Sequence, residues 1–419
     1  MKLACVIQRF GAEVTGGSER HCRVVAEHLA SHHEVTILTS CAQDYVTWRN
    51  VYPPGVSKSG ELTVRRFPVA RQRHLGRLAD ISEIVFTTRS SPEEQEQWFV
   101  ENGPEVPELV EYLREHGAEY DRVLFWTYRY YQTYFGLPLV ADRAILVPTA
   151  EEDPLIWVDA VDRLFALPTG YLFLTPEEAD LVRGRASRPL APSCVIGCGV
   201  EPIPRPAVDT DLAALGVADP FILYLGRIEP NKGCETLLDY FGKYLDSGPP
   251  PVNPGVKPVN PAVKPVNPAV KNVQLVMAGF PNMPIPEHPL VKCLGVVDEP
   301  VREALLAKAR LLLVPSPYES LSLVLLEAWY QGLPALVNGR CAVLHGQVLR
   351  ANGGLSYRYA SDFAASLAYL LAHPDVAKQL GRQGLAYIEQ EYRWPRVMRK
   401  VEDFLEESVA RPATARRAD

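Results

Sequence analysis

Short apolar runs alternate with amphipathic stretches along most of the chain. Residues 3–8 and 35–39 read as buried strands, and residues 18–31 between them as a helix with Val24, Val25 and Leu29 on one side. Residues 63–69, 123–126, 144–147 and 171–174 continue the series, each bounded by turns or polar residues. Runs that are apolar on both faces and separated by helices predict parallel strands covered on both sides. A Gly- and Pro-rich passage at 196–204 interrupts the rhythm. It restarts at 221–225 and runs through 273–277, 291–294, 311–314 and 335–337. The expectation is an α/β chain of two doubly wound, Rossmann-like domains, residues 1–198 and 199–390, joined near residue 200. Ligands of such sheets bind beyond the carboxyl ends of the strands, so the expected site is a central cleft that the two domains face.

The carboxyl end adds a helix, 391–410, with Val397, Val401 and Phe404 on one face, and a tail, 411–419, poor in apolar residues and expected to be disordered. One segment breaks the pattern. Residues 251–271 are three heptapeptides, PVNPGVK, PVNPAVK and PVNPAVK. Prolines at the first and fourth positions of each repeat exclude a helix and predict an extended, solvated loop expansion. The other reading is a ligand for a partner's aromatic groove.

Composition narrows the function classes. The chain has 419 residues, 47% hydrophobic and 22% charged, which is ordinary globular composition. Its net charge of -7 and pI near 5.8 argue against a protein that neutralises nucleic-acid phosphates. The eight cysteines contain no C-x-x-C pair and read as reduced thiols, not as a disulfide frame or zinc site. Cys194 and Cys198 are close but lack a second ligand pair. The amino terminus is too short in apolar residues for a secretory segment, and no run approaches a membrane span. A cytoplasmic protein follows, with peripheral attachment to the inner face of the membrane left open. Arg65, Arg66, Arg71, Arg73 and Arg77 with His74 form a basic stretch, read first as a solvated surface. Its apolar neighbours Phe67, Val69, Leu75 and Leu78 leave open a contact with anionic lipid or a lipid-linked acceptor.

The chemistry concentrates in the second half. After the run at 311–315 come Ser316-Pro317-Tyr318-Glu319-Ser320 and then an expected helix, 321–331, ended by Gly332 and Pro334. Glu319 would sit at the mouth of that helix and Glu327 about 12 Å along it, from the rise of 1.5 Å per residue. The amides at its start make an anion site between two acceptors. That arrangement suits a ligand with hydroxyls, a diphosphate and more hydroxyls; the plainer reading is a first-turn charge and a surface glutamate. After the run at 221–225, Gly226-Arg227-Ile228-Glu229-Pro230-Asn231-Lys232-Gly233 places two cations on a glycine-flanked loop. Arg227 can grip a diphosphate bidentately and Lys232 as a point charge. Gly16-Gly17 before the first helix allows close backbone approach to a ligand, though a tight turn explains it equally well.

Gly226-Arg227-x-x-Pro230-x-Lys232-Gly233, the E-x7-E pair in PSPYESLSLVLLEAWYQGLP and the early Gly16-Gly17 together resemble the retaining GT-B glycosyltransferases of family 4, the glycosyl transferases group 1. The resemblance covers nearly the whole chain and is strongest over 221–338. It implies two Rossmann-like domains, a nucleotide-sugar donor bound by the second, and a last helix crossing back to the first. It implies that Arg227 and Lys232 hold the diphosphate, that Ser320 and the amides of Leu321 and Ser322 meet the donor, that Glu319 contacts the sugar hydroxyls and Glu327 the ribose. Gly16 and Gly17 would approach the donor as well. No cofactor and no metal are implied, because cations and a helix terminus neutralise the leaving group. The acceptor implied is a hydroxyl of a glycan or lipid-linked molecule in cell-surface polysaccharide or glycolipid synthesis.

One position departs from the family. The segment 145–154 matches the region that carries a histidine near the acceptor, yet none is present, and Glu151 is the matching residue. A carboxylate there can face a positive oxocarbenium-like centre or an acceptor hydroxyl. It also suits a rival reading, a non-catalytic sugar-nucleotide-binding scaffold. Asp209-Thr210-Asp211 fits a metal-binding Asp-x-Asp string, but it precedes Leu212-Ala213-Ala214-Leu215 and reads as a helix cap. Neither G-x-G-x-x-G nor a P-loop string occurs.

Overall fold

The computed structural model describes residues 1–14, 16–201, 210–247 and 272–410. The heptapeptide insert, the 411–419 tail and Asp209 lie outside the described residues. The chain forms two compact units, one of Met1–Cys198 with the segment from Pro395, the other Gly199–Trp394.

The first unit is built on β1 (Lys2–Val6), β2 (Glu34–Ser40), β3 (Gly55–Ser59), β4 (Leu62–Phe67), β5 (Arg122–Trp126), β6 (Ala144–Val147), β7 (Gly170–Phe173) and β8 (Ser193–Val195), in the order β3-β4-β2-β1-β5-β6-β7-β8. All neighbours pair in parallel except β3 with β4. Cys5 sits opposite Ile37 on one side and Leu124 on the other, all fully buried, as a central strand covered on both faces requires. The terminal helix, Trp394–Ala410, buries Val397, Val401, Phe404 and Leu405. The Phe404 ring lies so close to Gly170 that a Cβ there would come within 2.7 Å of it, and Arg122 Nε donates to Ser408 Oγ at 2.9 Å.

The basic stretch does not form the solvated surface that was expected, because most of it is spent inside this unit. Arg71 forks onto Glu101 at 2.9 and 3.0 Å and reaches Glu105 at 2.6 Å. Arg73 donates to the Tyr45 and Asn102 carbonyls over the Trp48 ring, and burial lowers its pKa to about 10. Arg66 donates to the Phe10 carbonyl and stacks on Tyr52, while Arg65 stacks on Tyr112. His74 and Arg77 are the exposed members, and the His74 ring caps the Leu75–Thr87 helix.

The second unit carries β9 (Phe221–Leu225), β10 (Gln274–Ala278), β11 (Val291–Gly295), β12 (Leu312–Val314), β13 (Ala335–Asn338) and β14 (Gly354–Tyr357), in the order β11-β10-β9-β12-β13-β14 and all parallel. β9, β10 and β12 are buried along their whole length, which is why they show as apolar runs, broken only by the buried Gln274 of β10. Asp211 Oδ1 accepts from the amides of Ala213 and Ala214, so it caps the short turn Ala213–Leu215. Among the described residues, no helix is long and apolar enough to cross a membrane.

Candidate functional site

The second sheet changes its direction of winding between β9 and β12: β10 and β11 add on one side of β9, then β12, β13 and β14 on the other. The crevice beyond such a switch point is where doubly wound sheets hold ligands. Both segments marked by the sequence leave the sheet there.

Past β9 the chain is held close to the end of β10. Gly226 and Gly279 have φ of +140° and +146°, and a Cβ on Gly279 would lie 1.8 Å from the Gly226 carbonyl oxygen. The Tyr224 hydroxyl donates to the Arg227 carbonyl at 2.6 Å, fixing the backbone. The Arg227 side chain, 45% exposed, reaches Glu229 Oε1 at 3.0 Å, and Glu229 itself is buried. The turn Pro230–Lys232 then ends on Gly233, and a helix, Cys234–Ser247, starts after it. Proline at the turn's first position and glycine after its last explain the break between them. Lys232 Nζ donates to Glu319 Oε1 at 2.9 Å.

Past β12, Asn338 Nδ2 donates to the carbonyls of Pro315 and Ser316 at 3.1 and 3.4 Å, and Ser316 Oγ to the Tyr318 carbonyl at 2.9 Å. These bonds shape the loop that carries Glu319. The expected helix from Leu321 begins instead at Leu323 and ends at Tyr330. Ser320, Leu321 and Ser322 are buried, Ser322 is extended, and its amide points to Gln347 Oε1 at 3.5 Å. The first-turn amides are therefore those of Leu323 to Leu325, two residues later along the chain than the expected helix start. Glu327 is buried and forms an ion pair with Arg302. Arg227, Lys232, Glu319 and Glu327 thus all lie at the carboxyl edge around β9 and β12.

Gly16, Gly17 and Glu151 belong to the first unit. The space beside Gly16 holds the Glu19 carboxylate, 2.1 Å from where a Cβ would lie, and Glu19 accepts from the buried Arg9 Nε at 2.9 Å. Gly17 is the first residue of the Gly17–Leu29 helix. Glu151 follows β6, 3.7 Å from Arg129 Nη2, which also pairs with Asp153. A threonine in the left-handed region follows each of β5 and β6, Thr127 directly after β5 at φ +59° and Thr149 after Pro148 at φ +48°. A β-branched residue in that conformation is held by its surroundings at a cost, and such strain gathers at functional sites.

Residues 219–373 match the family described as Glycosyl transferases group 1. Comparison with curated protein sequences gives no match. Solved structures match along the whole chain at low identity. Sucrose-phosphate synthase from Thermosynechococcus elongatus has a TM-score of 0.66 at 16% identity, covering 98% of this chain and 100% of that one. Anabaena HepE in complex with UDP-glucose gives 0.64 at 15%, covering 97% and 100%. The α,α-trehalose 6-phosphate synthase from Burkholderia multivorans gives 0.66 at 12%, covering 100% and 99%. The fold is GT-B.

Within this GT-B chain a cavity of about 530 Å3, lined by Val273, Leu306, Leu333 and Leu370 among others, lies beside residues that precede β9, β10, β12 and β13 and holds none of the candidate residues. Among the described residues, no group of three or more His, Cys, Asp or Glu is placed to hold a metal ion.

The sequence reading missed Arg302 and Asn338, whose roles depend on neighbours far along the chain, and also Glu178. Glu178 is fully buried, and its two oxygens accept from the amides of Ala150 at 2.7 Å and Leu174 at 2.6 Å, tying the end of β7 to the residue before Glu151. Thr175-Pro176 opening its helix was the available local signal. Burial raises its pKa from 4.5 to about 8, against the pull of those amide donors. The folded state then keeps a proton that the unfolded chain has released. Its contribution to stability is accordingly expected to fall as pH rises from about 4.5 to about 8 and to level off above. Thermal melts of Glu178→Gln across that range should lack this component of the slope; an unchanged pH profile would remove Glu178 as its source.

Proposed function

We propose that this protein is a retaining glycosyltransferase of family 4 that moves a sugar from a nucleotide donor to a hydroxyl of a glycan or lipid-linked acceptor, without a metal. The observation that carries the reading is the Lys232–Glu319 pair, 2.9 Å apart at the switch point of the second sheet, with Arg227 on the same loop as Lys232. A cation beside a carboxylate is what a sugar diphosphate needs: hydroxyls for Glu319 and phosphate oxygens for Lys232 and Arg227. In the reaction, the bond from the anomeric carbon to the diphosphate oxygen breaks and its electron pair leaves on the diphosphate. The acceptor oxygen bonds the same carbon on the same face, and its proton passes to the departing phosphate. Arg227 and Lys232 neutralise the leaving group. Glu327 accepts from the ribose, and Glu151, in the first unit, serves the acceptor.

UDP is the first nucleotide to test, since HepE was crystallised with UDP-glucose. Thermal stability of the purified protein with UDP, ADP, GDP and their sugars, in EDTA, decides the matter. At a hundredfold excess over Kd one nucleotide should contribute ~2.7 kcal/mol and raise Tm by several degrees. No shift with any of them would remove the donor site. A second reading, a binding protein without turnover, is favoured by Glu151 standing beside Arg129. Donor binding with neither transfer nor slow hydrolysis of the nucleotide sugar would decide for it.

A further inference from the structure

Arg302 lies in the first turn of the Glu299–Lys308 helix, which starts just past β11 at the carboxyl edge of the second sheet. That start is fixed by Asp298, whose side chain accepts from the Val301 amide at 3.0 Å. The guanidinium uses two different nitrogens for two carboxylates. Nη1 donates to Glu299 Oε1 at 2.7 Å, and Nη2 pairs with Glu327 Oε2 on the neighbouring helix. The fork is planar, so two partners fix its orientation as well as its position. Glu327 is 7% exposed and Arg302 20%, while Leu325, Leu326, Ala328 and Trp329 around Glu327 are all buried.

A buried ion pair is a weak way to join two helices. Apolar side chains of similar volume serve as well or better, because removing two charges from water costs about what their attraction returns. Retaining a charge pair in an otherwise apolar helix, at the edge where ligands bind, calls for a use of the carboxylate. On the reading that this edge holds a nucleotide sugar, we propose that Arg302 is a positioning residue of the donor site. It holds the Glu327 carboxylate in the orientation that accepts from the ribose hydroxyls, and Glu299 braces the guanidinium from outside. Arg302 thereby sets how strongly the site prefers a ribonucleotide to one lacking those hydroxyls.

The test measures Kd for UDP, ADP and GDP and for the 2′,3′-dideoxy form of each, by calorimetry, with wild type, Arg302→Met, Arg302→Lys and Glu299→Gln. Wild type should prefer the ribo form of its nucleotide at least tenfold, since hydrogen bonds to a charged group are the stronger kind. Arg302→Met should reduce ribo affinity tenfold or more, leave dideoxy affinity within about twofold, and bring the ratio near one. Arg302→Lys should retain part of the preference, and Glu299→Gln should weaken it about two- to threefold. The lysine and Glu299 variants keep a cation beside Glu327, so they remain informative if Arg302→Met does not fold. An unchanged ribo-to-dideoxy ratio in folded variants would overturn the proposal and reduce Arg302 to a helix tie. Failure of wild type to bind any of the three nucleotides overturns the donor-site reading itself, and this inference with it; nucleotide binding with an unaltered ratio overturns only the inference.

Discussion

Replacing Lys232 by alanine is expected to lower kcat/KM about 10²- to 10³-fold, with a smaller effect on folding, and Arg227→Ala to do the same. A cation already placed where negative charge develops does not reorganise during the reaction, and removing one such group typically costs ~2.7–4 kcal/mol of transition-state stabilisation. The Lys232 side chain is 25% exposed and Arg227 45%, so their ground-state pairs with Glu319 and Glu229 are partly screened by water. Partly exposed pairs contribute little more than the ~0–1 kcal/mol of fully exposed ones. The two effects therefore separate: a large fall in turnover beside a small change in Tm. The partners differ in one respect. Glu229 is buried, so Arg227→Ala leaves a shielded carboxylate with one fewer donor and should lower Tm more than Lys232→Ala. Steady-state kinetics with the stabilising nucleotide sugar, paired with thermal melts, provide the check. Turnover within threefold of wild type in both variants would place the leaving-group site elsewhere.

What could be read from the residues follows from where the determining partners lie. β9 and β12 were legible because a strand buried on both faces writes itself as an unbroken apolar run, and β10 because its run is broken only by Gln274. β3 was not, since all five of its residues are exposed and it exists only by pairing with β4. The two cations and Glu319 were legible because glycine and proline punctuate their loops within a few residues. The direct meeting of Lys232 with Glu319 was not, being a contact across 87 positions. Separation in sequence also explains the misread basic stretch: Arg71 and Arg73 find Glu101, Glu105 and Asn102 29 to 34 positions further on. The late start of the Leu323–Tyr330 helix follows from burial of Ser320, Leu321 and Ser322, which a local propensity reading does not contain. Local chemistry marked the edge of the sheet where the candidate residues lie; tertiary neighbours decided which atoms there are engaged.

Gly233→Ala is expected to cost both stability and activity, although the substitution adds one methyl group and removes no charge. Gly233 has φ +74°, a conformation that costs an L-residue ~1–2 kcal/mol. The methyl carbon would also lie 2.3 Å from the Pro315 carbonyl oxygen and 2.9 Å from its carbon, well inside contact distance. That neighbour is backbone, and it is fixed in turn by the Asn338 amide at 3.1 Å, so it cannot swing aside as a side-chain tip would. The strain is relieved only by moving the Lys232 turn away from the loop after β12. That movement lengthens the 2.9 Å contact between Lys232 and Glu319, and misplacement of a binding group by about 1 Å can cost 10²-fold in rate. The variant should unfold ~2–4 kcal/mol more easily, within the upper range for a single substitution with a named steric cause. It should also lose turnover in the part that remains folded. Gly242→Ala is the control, since nothing lies within 4 Å of a Cβ there and the residue sits within the Cys234–Ser247 helix. That change should stabilise slightly, because alanine restricts the unfolded chain more than glycine does. If Gly233→Ala melts and turns over like wild type, the close packing of the two loops does not position the site.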